Sequence, residues 1–273
     1  NETAPSRGKD GDPWTVPRVD GGSTHVRMLS PAHLRQGEKN DFNPRHKERC
    51  DESSDMLTVY GGTGALGMYS AKNLGSAENS RRIRVTGRSG RTSQRLQVVD
   101  SCQIASLRCD GGTKSEAINL VSAAVFGRLL FTSGILADAS WKKLSFRLVT
   151  TVCAPKLNCK RDQLDYARAI ACRVFFSSAT ACVGNSGQTV YGAANAVLDH
   201  RAASACSMGV NALSLQWGAF SGGGMASGDE SHLSRIGIGV LTPDVCVKVL
   251  QWCIANRSKK LVSSSLCVSN FDW

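Results

Sequence analysis

Ser178, Tyr191 and Asn195 fall within a single 25-residue segment, FFSSATACVGNSGQTVYGAANAVLD, running from Phe175 to Asp199. Side chains of these types suit carbonyl chemistry. Adding hydride to a ketone places negative charge on the carbonyl oxygen, so a site must supply a proton and a second hydrogen bond to that oxygen. Tyr191 is the candidate acid, and Ser178, with Ser177 beside it, the candidate orienting donor. A free phenol titrates at about 10, so an ammonium group that stabilises the phenolate would help it give up its proton near neutral pH. About 110 residues upstream, MLTVY empties into GGTGALG, that is Gly61, Gly62, Thr63, Gly64, Ala65, Leu66 and Gly67. Glycines let backbone N–H groups approach a pyrophosphate, and the helix that follows points its positive end at it. A dinucleotide site and a Ser/Tyr pair in one domain point to a nicotinamide-dependent oxidoreductase.

These groups need a frame, and the pattern from Met56 onward provides one. Strand-like runs alternate with helix-length segments: MLTVY then a helix after Leu66; RIRVTG then SGRTSQRLQVVDSC; ASLRCD then KSEAINLVSAAV; GRLLFTSG then a long helical stretch to about Ala171; RVFFSS then a helix through YGAANAVLDHRAASACSMG; and NALSLQWG. Such alternation predicts an α/β fold, a Rossmann-like doubly wound parallel sheet with right-handed crossovers. Residues 1–55 differ: they hold five of the seven prolines, breaker-rich stretches such as GKDGDP and DGGST, and no sustained apolar periodicity. They are expected to be a linker or the reduced remnant of a structural subdomain, partly disordered, ahead of a catalytic domain over 56–273.

Composition narrows the partners. The chain of 273 residues carries 33 Lys+Arg against 22 Asp+Glu, a net charge of +11. Its basic residues occur in short clusters without aromatic interleaving or a helix-turn-helix or RNA-binding signature, which reads as a solvated basic surface rather than a nucleic-acid site; an acidic protein partner or a phosphorylated cofactor would use the same charge. No run of about 18 apolar residues is present to span a bilayer, and the N-terminus has no leader pattern. The 11 cysteines are scattered singly with no C-x-x-C pair, which supports neither a metal site nor a disulfide framework. Reduced, mostly buried thiols of a cytoplasmic protein are expected.

The segments YGGTGALG, VTGRSGR, FTSGILADAS, APKLNCK, FFSSATACVGNSGQTVYGAANAVLD and LQWGAFSGGGMA follow one another in an order and spacing that resembles the ketoreductase domains of type I polyketide and fatty acid synthases, a branch of the short-chain dehydrogenase/reductases. The resemblance runs from Met56 to the closing FDW and implies NADPH-dependent reduction of a β-ketoacyl group held on an acyl carrier protein, within or beside other synthase domains. Ordinary members of the superfamily place the assisting lysine four residues after the tyrosine; here that position is Asn195. The polyketide branch exchanges the two residues, which makes Lys156 the lysine and Asn195 its counterpart, and its pattern sets the catalytic hydroxyl on the second serine, Ser178. Arg88, at the end of the second strand with Ser89 after it and no carboxylate nearby, would neutralise the 2′-phosphate of NADPH, where an acid would favour NAD. Asp110 resembles the aspartate that meets adenine, and Thr132, Ser133 and Gly134 the backbone beside the nicotinamide ribose.

Several positions depart from the family pattern. Tyr60 stands where the glycine motif usually begins with Thr, Phe131 replaces a His, and Ser133 an Ala. Leu136, Ala137 and Asp138 stand where one stereochemical type has Leu-Asp-Asp, while the tryptophan of the other type is replaced by Val183, which points to the D-hydroxy product. Asp138, Gln188, Gly224 and Met225 are expected at the substrate and its lid, with Gly222 to Gly224 as hinge. Two alternatives remain open: a free-standing short-chain dehydrogenase on a small ketone, against which Asn195 argues, and a catalytically silent structural ketoreductase, which would usually have lost Tyr, Lys or the glycine turn.

Overall fold

The structure is a computed structural model. It describes residues 14–17, 23–29, 56–78, 82–91, 103–110, 113, 115–116, 127–157, 172–221, 230–235, 237–255 and 264–271. In chain order the strands are β1 (Trp14–Pro17), β2 (Ser23–Leu29), β3 (Met56–Tyr60), β4 (Arg82–Gly87), β5 (Gln103–Arg108), β6 (Arg128–Phe131), β7 (Cys172–Ser178), β8 (Ala212–Trp217), β9 (Ile238–Gly239), β10 (Ser265–Val268) and β11 (Asn270–Phe271). The helices are α1 (Ala65–Glu78), α2 (Phe146–Leu157), α3 (Thr180–Val183), α4 (Thr189–Ser207), α5 (Glu230–Arg235) and α6 (Pro243–Ala255), with a short 3₁₀ turn at Trp141–Lys143.

Nine strands form one sheet in the order β1-β2-β10-β8-β7-β6-β3-β4-β5. Every pairing from β2 through β5 is parallel and only edge strand β1 runs antiparallel. This is the doubly wound sheet expected from the alternation of strands and helices. Two of its strands, β1 and β2, come from residues 1–55, where no apolar periodicity marked them.

The central strands are apolar on both faces because helices cover both faces of a parallel sheet. Successive side chains of a strand point to opposite sides, and the core divides accordingly. Leu57, Val59, Leu130, Val174 and Phe176 join Met68, Ala71 and Leu74 of α1 and Val249, Leu250 and Cys253 of α6. Tyr60, Leu129, Phe131 and Phe175 face the other way and pack on Leu198, Ala202 and Ala205 of α4. Tyr60 and Phe131, both departures from the family pattern, stack with ring centroids 4.3 Å apart. Two aromatic rings thus fill a layer together, which accounts for their joint appearance.

Chain order reverses between β3 and β6: from β3 the chain moves outward to β4 and β5, and from β6 the other way through β7 and β8. A crevice opens at the carboxyl ends of the strands at such a switch point, and there the structure has a cavity of about 440 Å³. Among the described residues no helix is long and apolar enough to cross a membrane.

Candidate active site

The floor of the cavity is the turn after β3. Gly61 adopts φ +77°, and a Cβ there would lie 2.7 Å from the Ser133 Cα; at Gly67 it would lie 2.7 Å from both the Gly62 Cα and the Thr132 Oγ1. Only glycine lets the turn press this closely against the strand beside it. The turn is held by Gly62 N–H to the Val59 carbonyl (3.1 Å), Gly64 N–H to Gly61 (3.2 Å) and Thr63 N–H to Thr86 across on β4 (3.3 Å). Helical bonding begins with Met68 N–H donating to the Gly64 carbonyl at 2.9 Å. The N–H groups of Ala65, Leu66 and Gly67 therefore precede the first intrahelical bond and stand at the positive end of α1, an arrangement suited to a phosphate.

Around this floor the structure gathers most of the residues singled out from the sequence. Gly61, Thr63, Gly64, Ala65, Leu66, Gly67, Arg88, Asp110, Thr132, Ser133 and Gly134 line one end of the cavity. Thr132 is fixed by two bonds to the Tyr60 carbonyl, from its N–H and its Oγ1, both at 2.9 Å. Arg88 is exposed and lines the cavity, whereas Gly62 and Ser89 lie off the lining; the Ser89 Oγ accepts from Arg91 N–H at 3.2 Å instead.

Lys156, Ser178, Gln188 and Tyr191 line the other end. They come from three elements and a turn: Lys156 from the last turn of α2, Ser178 from the end of β7, Tyr191 from the first turn of α4, and Gln188 just before it. Lys156 is 2 % exposed. Its Nζ donates to the Phe176 carbonyl at 3.1 Å and sits 5.9 Å from the centroid of the Tyr191 ring. Burial lowers its pKa from 10.5 to about 7, opposed by the negative charge of Asp199. Burial also raises the Tyr191 phenol above its ordinary value; Asn195 and Ser178 beside it oppose the rise, and the charge of Asp138 adds to it. Asn195 is fully buried off the cavity lining, one turn below Tyr191, with its Nδ2 donating to the Tyr191 carbonyl at 2.9 Å.

Asp138 is exposed and off the lining, and besides its charge on Tyr191 it meets the cavity through a neighbour. The Thr180 hydroxyl donates to Gln188 Oε1 at 3.1 Å, and Gln188 Nε2 donates to Asp138 Oδ2 at 3.0 Å. This chain orients Gln188 at the mouth. Gly222 to Gly224 and Met225 lie outside the described residues, while Leu233 of α5 lines the cavity.

One contributor went unnoticed in the sequence. Asp199 accepts from the Ser214 hydroxyl at 2.6 Å and from Gln216 Nε2 at 2.9 Å, so its carboxylate is held firmly enough to act on Lys156. Its spacing was the available signal: residues 191, 195 and 199 recur every four positions and so share one face of α4.

Residues 56–222 match the family model described as the KR domain. The spectinabilin polyketide synthase system protein NorB of Streptomyces orinoci is 30% identical over 200 residues, covering 68% of this chain and 9% of that protein. The pikromycin polyketide synthase component PikAII of Streptomyces venezuelae is 29% identical over 239 residues, 80% of this chain and 6% of that protein. Among solved structures, the first ketoreductase of the tylosin PKS aligns with a TM-score of 0.72 and 28% identity, over 97% of this chain and 57% of that one. An A1-type ketoreductase, at 22% identity and a TM-score of 0.70 over 97% of this chain and 55% of that one, shares the fold. This chain thus spans less than a tenth of the two curated relatives and little more than half of these two structures.

Proposed function

Since the chain belongs to the KR-domain family, the ketoreductase branch of the short-chain dehydrogenase/reductases, we propose that it reduces the β-ketone of an acyl thioester carried on an acyl carrier protein, with NADPH, as one domain of a polyketide synthase. The observation that carries this reading is the convergence of Lys156 and Tyr191 from two different helices onto one cavity, while Asn195 holds the position one turn after Tyr191. That exchange belongs to the synthase branch in the resemblance drawn from the sequence, and it disfavours the diffusible-ketone alternative.

The residues present fit a phosphorylated nicotinamide dinucleotide. The open amides of α1 and the glycine cradle suit its pyrophosphate, Arg88 its 2′-phosphate, and Thr132 to Gly134 the nicotinamide end. Bound there, it supplies the hydride that converts the ketone to an alkoxide. Tyr191 then gives its phenolic proton to that oxygen, and Ser178 donates the second hydrogen bond. Lys156, when protonated, stabilises the phenolate that Tyr191 becomes. Asn195 holds the Tyr191 backbone, so the phenol is aimed by a buried contact. Gln188, oriented by Asp138 and Thr180, is assigned to the substrate end of the cavity, and Leu136 to Asp138, with Val183 in place of a tryptophan, favour the D-hydroxy product.

The test is NADPH consumption with trans-1-decalone and with a 3-oxoacyl thioester, comparing the parent protein with Tyr191→Phe. Reduction by the parent and a loss of roughly two or more orders of magnitude in the variant are expected, with NADPH affinity kept within about twofold because the proton matters only as the alkoxide forms. A variant that loses cofactor affinity in parallel with turnover would remove Tyr191 from the acid role.

A further inference from the structure

Between the cavity mouth and α2 the chain presents an exposed stretch whose make-up is unusual for a solvated surface. Trp141 is 79% exposed and Phe146 85% exposed, the two most exposed of the large hydrophobic side chains in the described residues. Lys142, Lys143 and Arg147 stand among them, all exposed. Among the described residues no carboxylate forms an ion pair with these three cations; the nearest acid along the chain, Asp138, is engaged by Gln188. The 3₁₀ turn at Trp141–Lys143 buries none of its residues, so nothing in its own packing explains a tryptophan there.

The backbone that displays this patch is fixed. Ala139 N–H donates to the Gly187 carbonyl at 3.0 Å, Lys143 N–H to Ser140 at 2.8 Å, and the Ser145 hydroxyl accepts from Leu148 N–H at 3.2 Å at the start of α2. The same stretch begins at Leu136 on the cavity wall. Five residues of chain from Leu136 to Trp141 reach at most about 18 Å, and the ten-residue rise along α2 from Phe146 to cavity-lining Lys156 is about 15 Å, so each aromatic lies within about 18 Å of a residue of the cavity wall.

We propose that Trp141 and Phe146, with the exposed Lys142, Lys143 and Arg147 beside them along the chain, form the docking face for an acidic carrier domain that delivers the acyl thioester to the cavity mouth. The proposal rests on the reductase reading given above. Exposed tryptophan beside basic side chains is the composition of a binding hot spot with an electrostatic rim, and its charge is complementary to a carrier rich in acidic residues. A second copy of this chain is disfavoured as the occupant, because it would bring the same three positive charges, on a protein of net charge +11, against themselves.

The test uses two variants, Trp141→Ser/Phe146→Ser and Lys142→Glu/Lys143→Glu/Arg147→Glu, none of which touches the cavity. Two measurements are made: KM for a 3-oxoacyl chain on a purified acidic acyl carrier domain against KM for trans-1-decalone, and the Kd of that carrier domain by calorimetry. Each variant should raise both the carrier KM and the Kd about tenfold or more, leave the decalone KM within about twofold, and remove the steep weakening by salt that the parent shows. Unchanged Kd, or equal changes for both substrates, would overturn the docking face. So would a loss of self-association, RNA binding or binding to anionic vesicles in the variants with carrier affinity untouched. If the parent reduces neither substrate yet binds the carrier in a way the variants abolish, the docking face stands and the reductase reading fails.

Discussion

Replacing Lys156 by Met tests the energetic core of the site without any substrate. In the unfolded chain the ammonium keeps its proton up to its ordinary value of 10.5, whereas in the folded protein burial brings this down to about 7. Between those values the unfolded state binds more protons than the folded one, so this group makes stability rise with pH over that window. The slope approaches 1.36 kcal/mol per unit well above the folded value. Allowing for half-titration at about pH 7, the protein should gain roughly 1.5 kcal/mol relative to Lys156→Met between about pH 7 and about pH 8.5. The absolute stability of the variant is a poorer readout, because Met also leaves the Phe176 carbonyl without its 3.1 Å donor, a loss of about 1–3 kcal/mol that offsets the relief of a buried charge. The difference in slope is free of that offset. It is also free of the buried thiols Cys246, Cys253 and Cys267, whose values are pushed up to about 12 by burial, because these act alike in both proteins. Urea denaturation of cofactor-free protein across this pH range would measure it. Parallel curves for the two proteins would refute the argument that Lys156 is buried with its titration shifted toward neutrality.

Three further outcomes are expected. The parent should prefer NADPH to NADH, and Arg88→Asp should erase or reverse that preference in the ratio of kcat/KM values by setting a carboxylate against the 2′-phosphate; equal specificity in the parent would refute the role of Arg88. Gly61→Ala should cost roughly 2–3 kcal/mol in urea denaturation, because it combines a left-handed backbone with a Cβ 2.7 Å from the Ser133 Cα; a loss under about 1 kcal/mol would show that the turn relaxes. Chiral chromatography of the product from a 3-oxoacyl thioester should give the D-hydroxyl, and a dominant L product would mean that the Asp138–Gln188 pair does not steer the substrate.

What the sequence made legible was local. The runs MLTVY and RIRVTG coincide with β3 and β4 because each is a short apolar or β-branched stretch bounded by breakers. The glycine turn was readable for the same reason. Strands β1, β2 and β10 were not: SLCV is only four residues long, and β2 is held by pairing with β10, whose partner positions lie more than two hundred residues away. Side-chain chemistry divided in the same way. Tyr191 and Asn195 sit on one helix at a spacing that can be read directly, whereas Lys156 reaches them only through the packing of α2 on α4. Asp199 contributes through space, and only its place four residues after Asn195 on the same helix face marks it. Asp138 was placed at the substrate by resemblance; in the structure it accepts from Gln188, and its charge bears on Tyr191.

The clamp at the end of α2 has a consequence for how such a site can vary. Arg201 of α4 donates from Nη1 to the Lys156 carbonyl and from Nη2 to the Leu157 carbonyl at 2.8 Å. When the assisting lysine and the tyrosine share a helix, their separation is a property of helical geometry and survives whatever happens around it. Here they sit on different helices, so their separation depends on how two helices slide against each other, and the guanidinium fork is the latch that indexes one to the other. Catalytic tuning therefore becomes available to substitutions all along the α2–α4 contact, far from any reacting atom, and small slips of that contact would weaken the phenolate's support before any loss of fold became visible.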